Sequence, residues 1–179
     1  MGQYYKIFVL NGNETHVFAP SSSKLMEHAF LNDDSVNAVI DLIFNSGPCR
    51  VAWVGDYYEN RNIPNTPFTG DDIWDREAES IKRSEPPTVL WGKSLANIEK
   101  KLYVDFSDYH NNPAWKYEDD TTHPLPLLTA CGNGAGGGDY YGSEEPSVGS
   151  WAGDLLMVVD GTPDGFEKLD IVFREGAYN

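Results

Sequence analysis

The first apolar pattern in the chain lies in residues 4–18 and predicts a β-hairpin. Apolar and aromatic residues fill nearly every position before Asn11-Gly12, and a second apolar run ends at Phe18. Asn-Gly tolerates the positive φ angles of a tight hairpin turn, so the turn is expected at these two residues. Because apolar residues occupy both alternating sets of positions in the first strand, we expect that strand to be covered on both faces.

Three later segments have the apolar spacing of amphipathic helices. Ser21–Ser23 offer N-cap residues for the first helix, and Ser35 offers one for the second, which Gly47-Pro48 ends. A third helix is predicted over residues 71–83. The apolar positions of the three stripes are Leu25, Met26, Ala29 and Phe30; Val36, Val39, Ile40, Ile43 and Phe44; and Ile73, Trp74 and Ala78.

Further apolar runs have the length and composition of strands. They cover residues 49–58, 102–106, 155–159 and 169–173. The first breaks at Gly55-Asp56, the last two are expected to pair as a hairpin, and the acidic stretch 107–122 is expected to be irregular. The order of elements is not a regular alternation of strand and helix, which favours mixed or antiparallel pairing. The sequence therefore predicts one compact α+β domain over residues 1–179, with a mixed or mostly antiparallel sheet packed against two or three helices.

The net charge of the chain excludes some classes of binding partner. Thirteen Lys and Arg residues stand against 28 Asp and Glu, a formal net charge of −15. Such a field repels phosphate backbones and anionic lipid, so neither a nucleic acid nor a membrane is expected as a partner. The acidic clusters serve solubility, form a face that docks on a basic protein partner, or bind cations. The chain has no apolar run long enough to span a bilayer and no signal-peptide pattern, so a cytoplasmic protein is expected.

Three Gly-Asp corners, at residues 55–56, 138–139 and 153–154, stand beside aromatic residues. Glycine permits a sharp bend and aspartate hydrogen-bonds the local backbone, so turn formation explains the recurrence. A second hypothesis has the corners converge on one polar pocket. The candidate ligand-binding residues are then Asp56, Tyr57, His123, Asn133, Asp139, Tyr140, Trp151 and Asp154.

The glycine-rich run Gly132–Gly138 is the most unusual segment. Successive N–H groups of such a run can wrap an anion, but the Lys-Ser/Thr ending of a P-loop is missing. Gly132, Gly134 and Gly137 match the dinucleotide spacing formally, without the βαβ unit that would frame it. A tightly packed or mobile loop is the alternative. We therefore expect no bound nucleotide and no other cofactor.

Cys131 precedes this run, and with His123 or His28 as a base it has the inventory of a thiol nucleophile. A buried structural thiol is the alternative. Cys49 and Cys131 are expected to be free, although a single disulfide stays open.

No metal site is expected from the sequence. Asp160–Gly165 begins like an EF-hand loop, but Ile171 stands where the bidentate glutamate is required. The four histidines lack HxH or HxxxH spacing.

The chain resembles a family of small, uncharacterised proteins of bacteria and their phages. The resemblance is carried by the opening MGQYYK, by LMEH, WVGDY and WAGD, and by HPLPLLTA-x-GNG-x-GGGDY from His123 to Tyr140. It implies a cytoplasmic, non-membrane protein and no particular chemistry, and residues 59–100 are less typical of it.

Three functions remain open. The leading hypothesis is an acidic binding or inhibitory protein that acts on a host or partner protein. The second is a small hydrolase or transferase whose pocket is formed by the Gly-Asp corners and the glycine-rich loop. The third is a carbohydrate- or nucleotide-binding module.

Overall fold

A computed structural model describes residues 2–20, 24–25, 33–111, 116–117, 120–121, 123–132 and 147–170. The strands are β1 (Tyr5–Asn11), β2 (Glu14–Ala19), β3 (Cys49–Gly55), β4 (Glu79–Ser80), β5 (Lys93–Asn97), β6 (Leu102–Asp105), β7 (Lys116–Tyr117), β8 (Asp120–Thr121), β9 (Ala130–Cys131), β10 (Leu155–Asp160) and β11 (Glu167–Lys168). The helices are α1 (Asp34–Ser46), α2 (Gly70–Trp74), α3 (Phe106–Asn111) and α4 (Pro124–Leu128).

The predicted hairpin is confirmed. β1 and β2 pair antiparallel up to Asn11 opposite Glu14, so the two central residues of the turn are Gly12 and Asn13. Gly12 has a φ of +58°. A positive φ at the first central residue suits glycine, and the turn therefore starts one residue later than the Asn-Gly pattern predicts.

The predicted second helix is α1, but its cap is not Ser35. The side chain of Asp33 accepts a hydrogen bond from the N–H of Val36, at 3.0 Å, and so becomes the N-cap. Gly47, with a φ of +87°, ends the helix as expected. The predicted first helix falls outside the described residues except for its start at Leu25, which is buried in the core.

In the described part of the chain, nine strands form one mixed sheet in the order β11-β6-β5-β10-β3-β1-β2-β4, with β9 also paired to β3. Three pairs are parallel (β2 with β4, β3 with β9, β6 with β11) and the others are antiparallel. β7 and β8 form a separate antiparallel pair. The α+β class with a mixed sheet is confirmed.

Apolar side chains cover both faces of the sheet, as expected for β1. On one face, Ile7, Val51 and Trp53 pack in a cluster with the apolar stripe of α1. On the other face, Phe8 and Val54 pack in a second cluster with the segment 58–78. Alternate residues of a strand point to opposite faces, which explains why nearly every position of the first strand is apolar.

The third predicted helix is wrong in its extent, because α2 covers only five residues. Lys6 Nζ donates hydrogen bonds to the carbonyl oxygens of Trp74 and Arg76, each at 2.8 Å. The Trp74 oxygen is the acceptor that the next turn of a continuing helix would use. The chain instead extends and pairs Glu79 with Phe18 of β2.

Two predictions for the second half of the chain are also wrong. The hairpin predicted between residues 155–159 and 169–173 is absent from its described residues: β10 lies between β3 and β5, and Leu169 N–H donates to the Tyr103 oxygen at the far side of β6. Part of the stretch 107–122 is regular, since α3 runs to Asn111. The side chain of Asp105 accepts a hydrogen bond from Ser107 N–H and so supports the first turn of α3.

Within the described residues, no helix has the length and apolar character needed to span a membrane.

Candidate functional site

Two of the three Gly-Asp corners lie at opposite ends of the central strand β3. Asp56 directly follows β3, whereas the N–H of Gly153 donates to the carbonyl of Val51 near the start of that strand. At about 3.3 Å per residue, the corners are separated by about 17 Å along the strand. Asp56 and Asp154 therefore do not share a pocket, and the hypothesis of convergence fails for this pair. Asp139, like Asn133 and Tyr140, lies outside the described residues.

The corner at Asp56 is hydrogen-bonded to the backbone near the start of the chain. The Asp56 side chain accepts a hydrogen bond from Tyr4 N–H at 3.1 Å, and its own N–H donates to the Tyr4 oxygen at 2.9 Å. Tyr57, the next residue, is partly buried. This corner acts as a backbone turn.

The corner at Asp154 is a buried polar junction. The Asp154 carboxylate is 2% exposed and accepts hydrogen bonds at 2.7 Å from the side-chain amides of Asn65 and Asn97, while Lys100 Nζ forms an ion pair with it. These donors come from two separate parts of the chain, residue 65 and residues 97–100, and Asp154 joins both parts to the start of β10. Trp151 is buried in the core beside this corner.

Glycines at the ends of parallel β3 and β9 make room for Gln3. Gln3 is fully buried, and its Oε1 accepts a hydrogen bond from Tyr5 Oη at 3.0 Å. A Cβ at Gly55 would overlap the Gln3 amide, and a Cβ at Gly132 would overlap Tyr5 Oη and come within 2.8 Å of Gln3 Oε1. The first glycine of the glycine-rich run is thus required for packing. The rest of that run lies outside the described residues.

The geometry does not support a thiol nucleophile at Cys131. Burial raises the pKa of the Cys131 thiol to about 12, although a hydrogen bond with Tyr58 acts in the opposite direction. The nucleophilic thiolate is therefore scarce at neutral pH. Both cysteines are free and buried, and burial raises the pKa of Cys49 to about 11.

His123, the proposed base, is a capping residue. Its Nδ1 accepts a hydrogen bond from Leu125 N–H at 3.1 Å at the start of α4, and its ring packs edge-on against Phe106. The side chain is fully buried. His28, the other candidate base, lies outside the described residues.

A second buried carboxylate, Asp41 on α1, holds a surface loop in place. The two oxygens of Asp41 accept four hydrogen bonds: two from the Arg83 guanidinium, at 2.7 and 3.3 Å, and one each from Ser84 N–H and Thr88 N–H, both at 2.8 Å. Arg83 also donates to the Thr88 oxygen at 2.9 Å. We call residues 83–91 the clamped loop.

The electrostatics of this junction favour the ionised carboxylate. Burial by itself would raise the pKa of Asp41, whose side chain is only 2% exposed. The hydrogen bonds from Arg83, Ser84 and Thr88 outweigh burial and lower the pKa below its ordinary value of 3.8. At neutral pH the ionised carboxylate therefore fixes the loop at Arg83, Ser84 and Thr88.

The clamped loop presents large apolar side chains to solvent. Thr88 and Leu90 are buried, whereas Val89 is 67% and Trp91 is 56% exposed. This alternation is typical of extended backbone with one side anchored. An open groove of about 460 Å³ lies between the loop and the end of α1, where Phe44 is 37% exposed. Its lining includes Phe44, Glu85, Pro86, Pro87, Val89 and Lys93.

Sequence reasoning missed this site. Pro86-Pro87 is typical of the end of a helical segment, and Asp41 lies within the apolar spacing of α1 without any motif. The available signal was the run Val89-Leu90-Trp91, three consecutive large apolar residues shortly after two prolines and too short for a helix.

No model of a known protein family matches the chain. No curated protein and no solved structure matches it either. The assignment of function therefore rests on the geometry described above.

Proposed function

We propose that the protein is an acidic binding protein that docks on a positively charged partner protein through the clamped loop, and so can block that partner. The observation that carries the proposal is the rigid attachment of the loop to Asp41 while Val89 and Trp91 face solvent. An exposed Trp on a fixed support is typical of the residues that dominate protein–protein affinity. A loop already held in one conformation loses little entropy on binding.

Charge defines the partner. A net charge of −15 draws a basic protein towards this chain and accelerates their encounter. The apolar side chains of the loop would then supply short-range affinity. The proposal thus gives the two features separate roles: charge sets the association rate, and the loop sets the dissociation rate.

The proposal is tested by placing a photo-crosslinking amino acid at Val89 in cells of the source organism. A matched control places it at Glu14, whose side chain is 79% exposed at the far hairpin turn. A basic protein crosslinked only from position 89 is the expected result. Adducts that are absent, or that are the same from both positions, contradict the proposal.

The affinity of the purified pair then decides the role of the loop. Trp91→Ala should weaken binding by about 30-fold, the effect of removing an interface anchor. Tyr4→Ala removes another exposed aromatic side chain, 48% exposed at the start of the chain, and should leave affinity unchanged. The association rate should fall as salt is raised, since the Debye length is about 10 Å at 0.1 M. If the two substitutions changed the affinity equally, the clamped loop would not be the docking element.

A further inference from the structure

The groove beside the clamped loop combines apolar side chains with polar ones, among which Glu85 is negatively charged. The ring of Phe44, together with Pro86, Pro87 and Val89, forms the apolar part, and Glu85 is exposed at the edge. A long side chain with a positive head has matching chemistry, because its stem can cover apolar surface while its head stays at the polar edge.

The end of helix α1 adds negative potential to the same groove. Phe44 lies in the last turn of this 13-residue helix, and that turn carries no basic residue. The C-terminal end of a helix carries a partial negative charge from its unpaired carbonyl groups, which stabilises nearby cations. The potential of the helix end therefore acts in the same direction as that of Glu85.

Phe44 already carries a cation on its ring. Lys93 Nζ lies 4.6 Å from the ring centroid and forms an ion pair with Asp160. The lysine charge is thus balanced by its own carboxylate, which leaves Glu85 as the unbalanced charge among the groove residues named above. The ring attracts cations through its π face.

We infer that this groove receives an arginine side chain of the partner, with the stem on Phe44 and the prolines and the guanidinium at Glu85. The inference rests on the proposed function and specifies the partner group that it recognises. Arginine fits better than lysine because its planar guanidinium pairs with a carboxylate through two hydrogen bonds and stacks on rings.

The probe is the blocked peptide acetyl-Gly-Arg-Gly-amide, followed by ¹⁵N NMR of the intact protein. Saturable shifts are expected at Phe44, Glu85 and Val89, with a Kd of the order of 1 mM for so small a ligand. The same peptide with citrulline has nearly the same shape without the charge, and should bind about tenfold more weakly. Equal binding of the two peptides, or shifts that avoid the groove, would overturn the inference.

Glu85→Gln keeps the size of the side chain and removes its charge. It should weaken binding of the arginine peptide by about threefold to tenfold without changing the melting temperature. Glu14→Gln removes one charge at the hairpin turn and should have no effect beyond the small change in net charge. If the two variants bind the peptide equally, Glu85 is not the recognition group and the inference fails.

The two proposals can fail separately. Crosslinking from Val89 with no arginine selectivity would retain the clamped loop as the docking element and reject the arginine groove. Arginine selectivity without a basic adduct at Val89 would retain the groove and reject the docking role of the loop.

Discussion

The clamp at Asp41 makes a quantitative prediction for the conservative substitution Asp41→Asn. The asparagine keeps one oxygen and replaces the other with an NH₂ group. Each oxygen of Asp41 accepts one hydrogen bond from Arg83 and one from a backbone N–H, of Ser84 or of Thr88. Whichever oxygen is replaced, one guanidinium N–H and one backbone N–H then face another donor.

The expected loss follows from those two bonds. A backbone hydrogen bond contributes about 1 kcal/mol, and one to a charged group contributes about 1.5–3 kcal/mol. Since the side chain of Arg83 is 26% exposed and can recruit water, we expect a net loss of about 2–3 kcal/mol. For a domain of this size that corresponds to a fall in melting temperature of about 5–10 °C.

The matched control is Asp34→Asn, which also removes one negative charge from α1. Asp34 is exposed in the first helical turn, where an acidic residue contributes about 0.3–1 kcal/mol. Thermal unfolding followed by circular dichroism should separate the two variants, and the amide protons of Ser84 and Thr88 should exchange faster only in Asp41→Asn. Melting temperatures that agree within about 1 °C would refute the clamp.

The remaining predictions concern pH, packing and thiol access. The pKa of Asp41 in the folded state is lowered below 3.8. The contribution of its ionised carboxylate to the free energy of unfolding is therefore complete above that pH and is lost as pH falls through the folded pKa. The difference in melting temperature between wild type and Asp41→Asn should therefore shrink in acid, and a constant difference would contradict the assignment. Gly153→Ala should cost about 4 kcal/mol or more in urea unfolding, because the new Cβ would overlap a backbone oxygen, whereas Gly161→Ala, at a similar positive φ with open space, should cost about 1 kcal/mol. Both cysteines should resist a thiol reagent at pH 8 until the protein unfolds, since burial raises their pKa values to about 11 and about 12; fast labelling of the native protein would show that they are accessible.

Elements whose signals are local could be predicted from the sequence. The hairpin and α1 have turn or cap residues within a few positions of their apolar patterns. β5 has no such signal, because two of its five residues, Ser94 and Asn97, are buried polar groups. Ser94 Oγ donates to the Gly161 oxygen and Asn97 donates to Asp154. These partners lie more than 50 residues away, so only the tertiary structure makes this segment a strand.

The difference between local signals and contacts distant in sequence also explains which features of the candidate sites could be predicted. The Gly-Asp corners at 55–56 and 153–154 are turns, as local chemistry indicates, but their separation depends on the pairing of β3 with β10. The clamp joins Asp41 to Arg83 and Thr88, which are 42 and 47 positions further along the chain. No periodicity within a single element connects such residues, so the anchoring of the clamped loop could not be recognised before the fold was known.

The central position of β3 has a consequence for synthesis on the ribosome. β1, β2, α1 and β3 are complete by Gly55, so this unit can begin to fold early. The other edge of β3 cannot pair until residues 130–131 and 155–156 have been synthesised, 75 to 100 residues later. At about 5–20 residues per second, the delay is about 4–20 s. During that time an apolar strand edge with Val51 and Trp53 stays open to wrong pairing, which makes the nascent chain a natural client for chaperones that bind extended apolar segments.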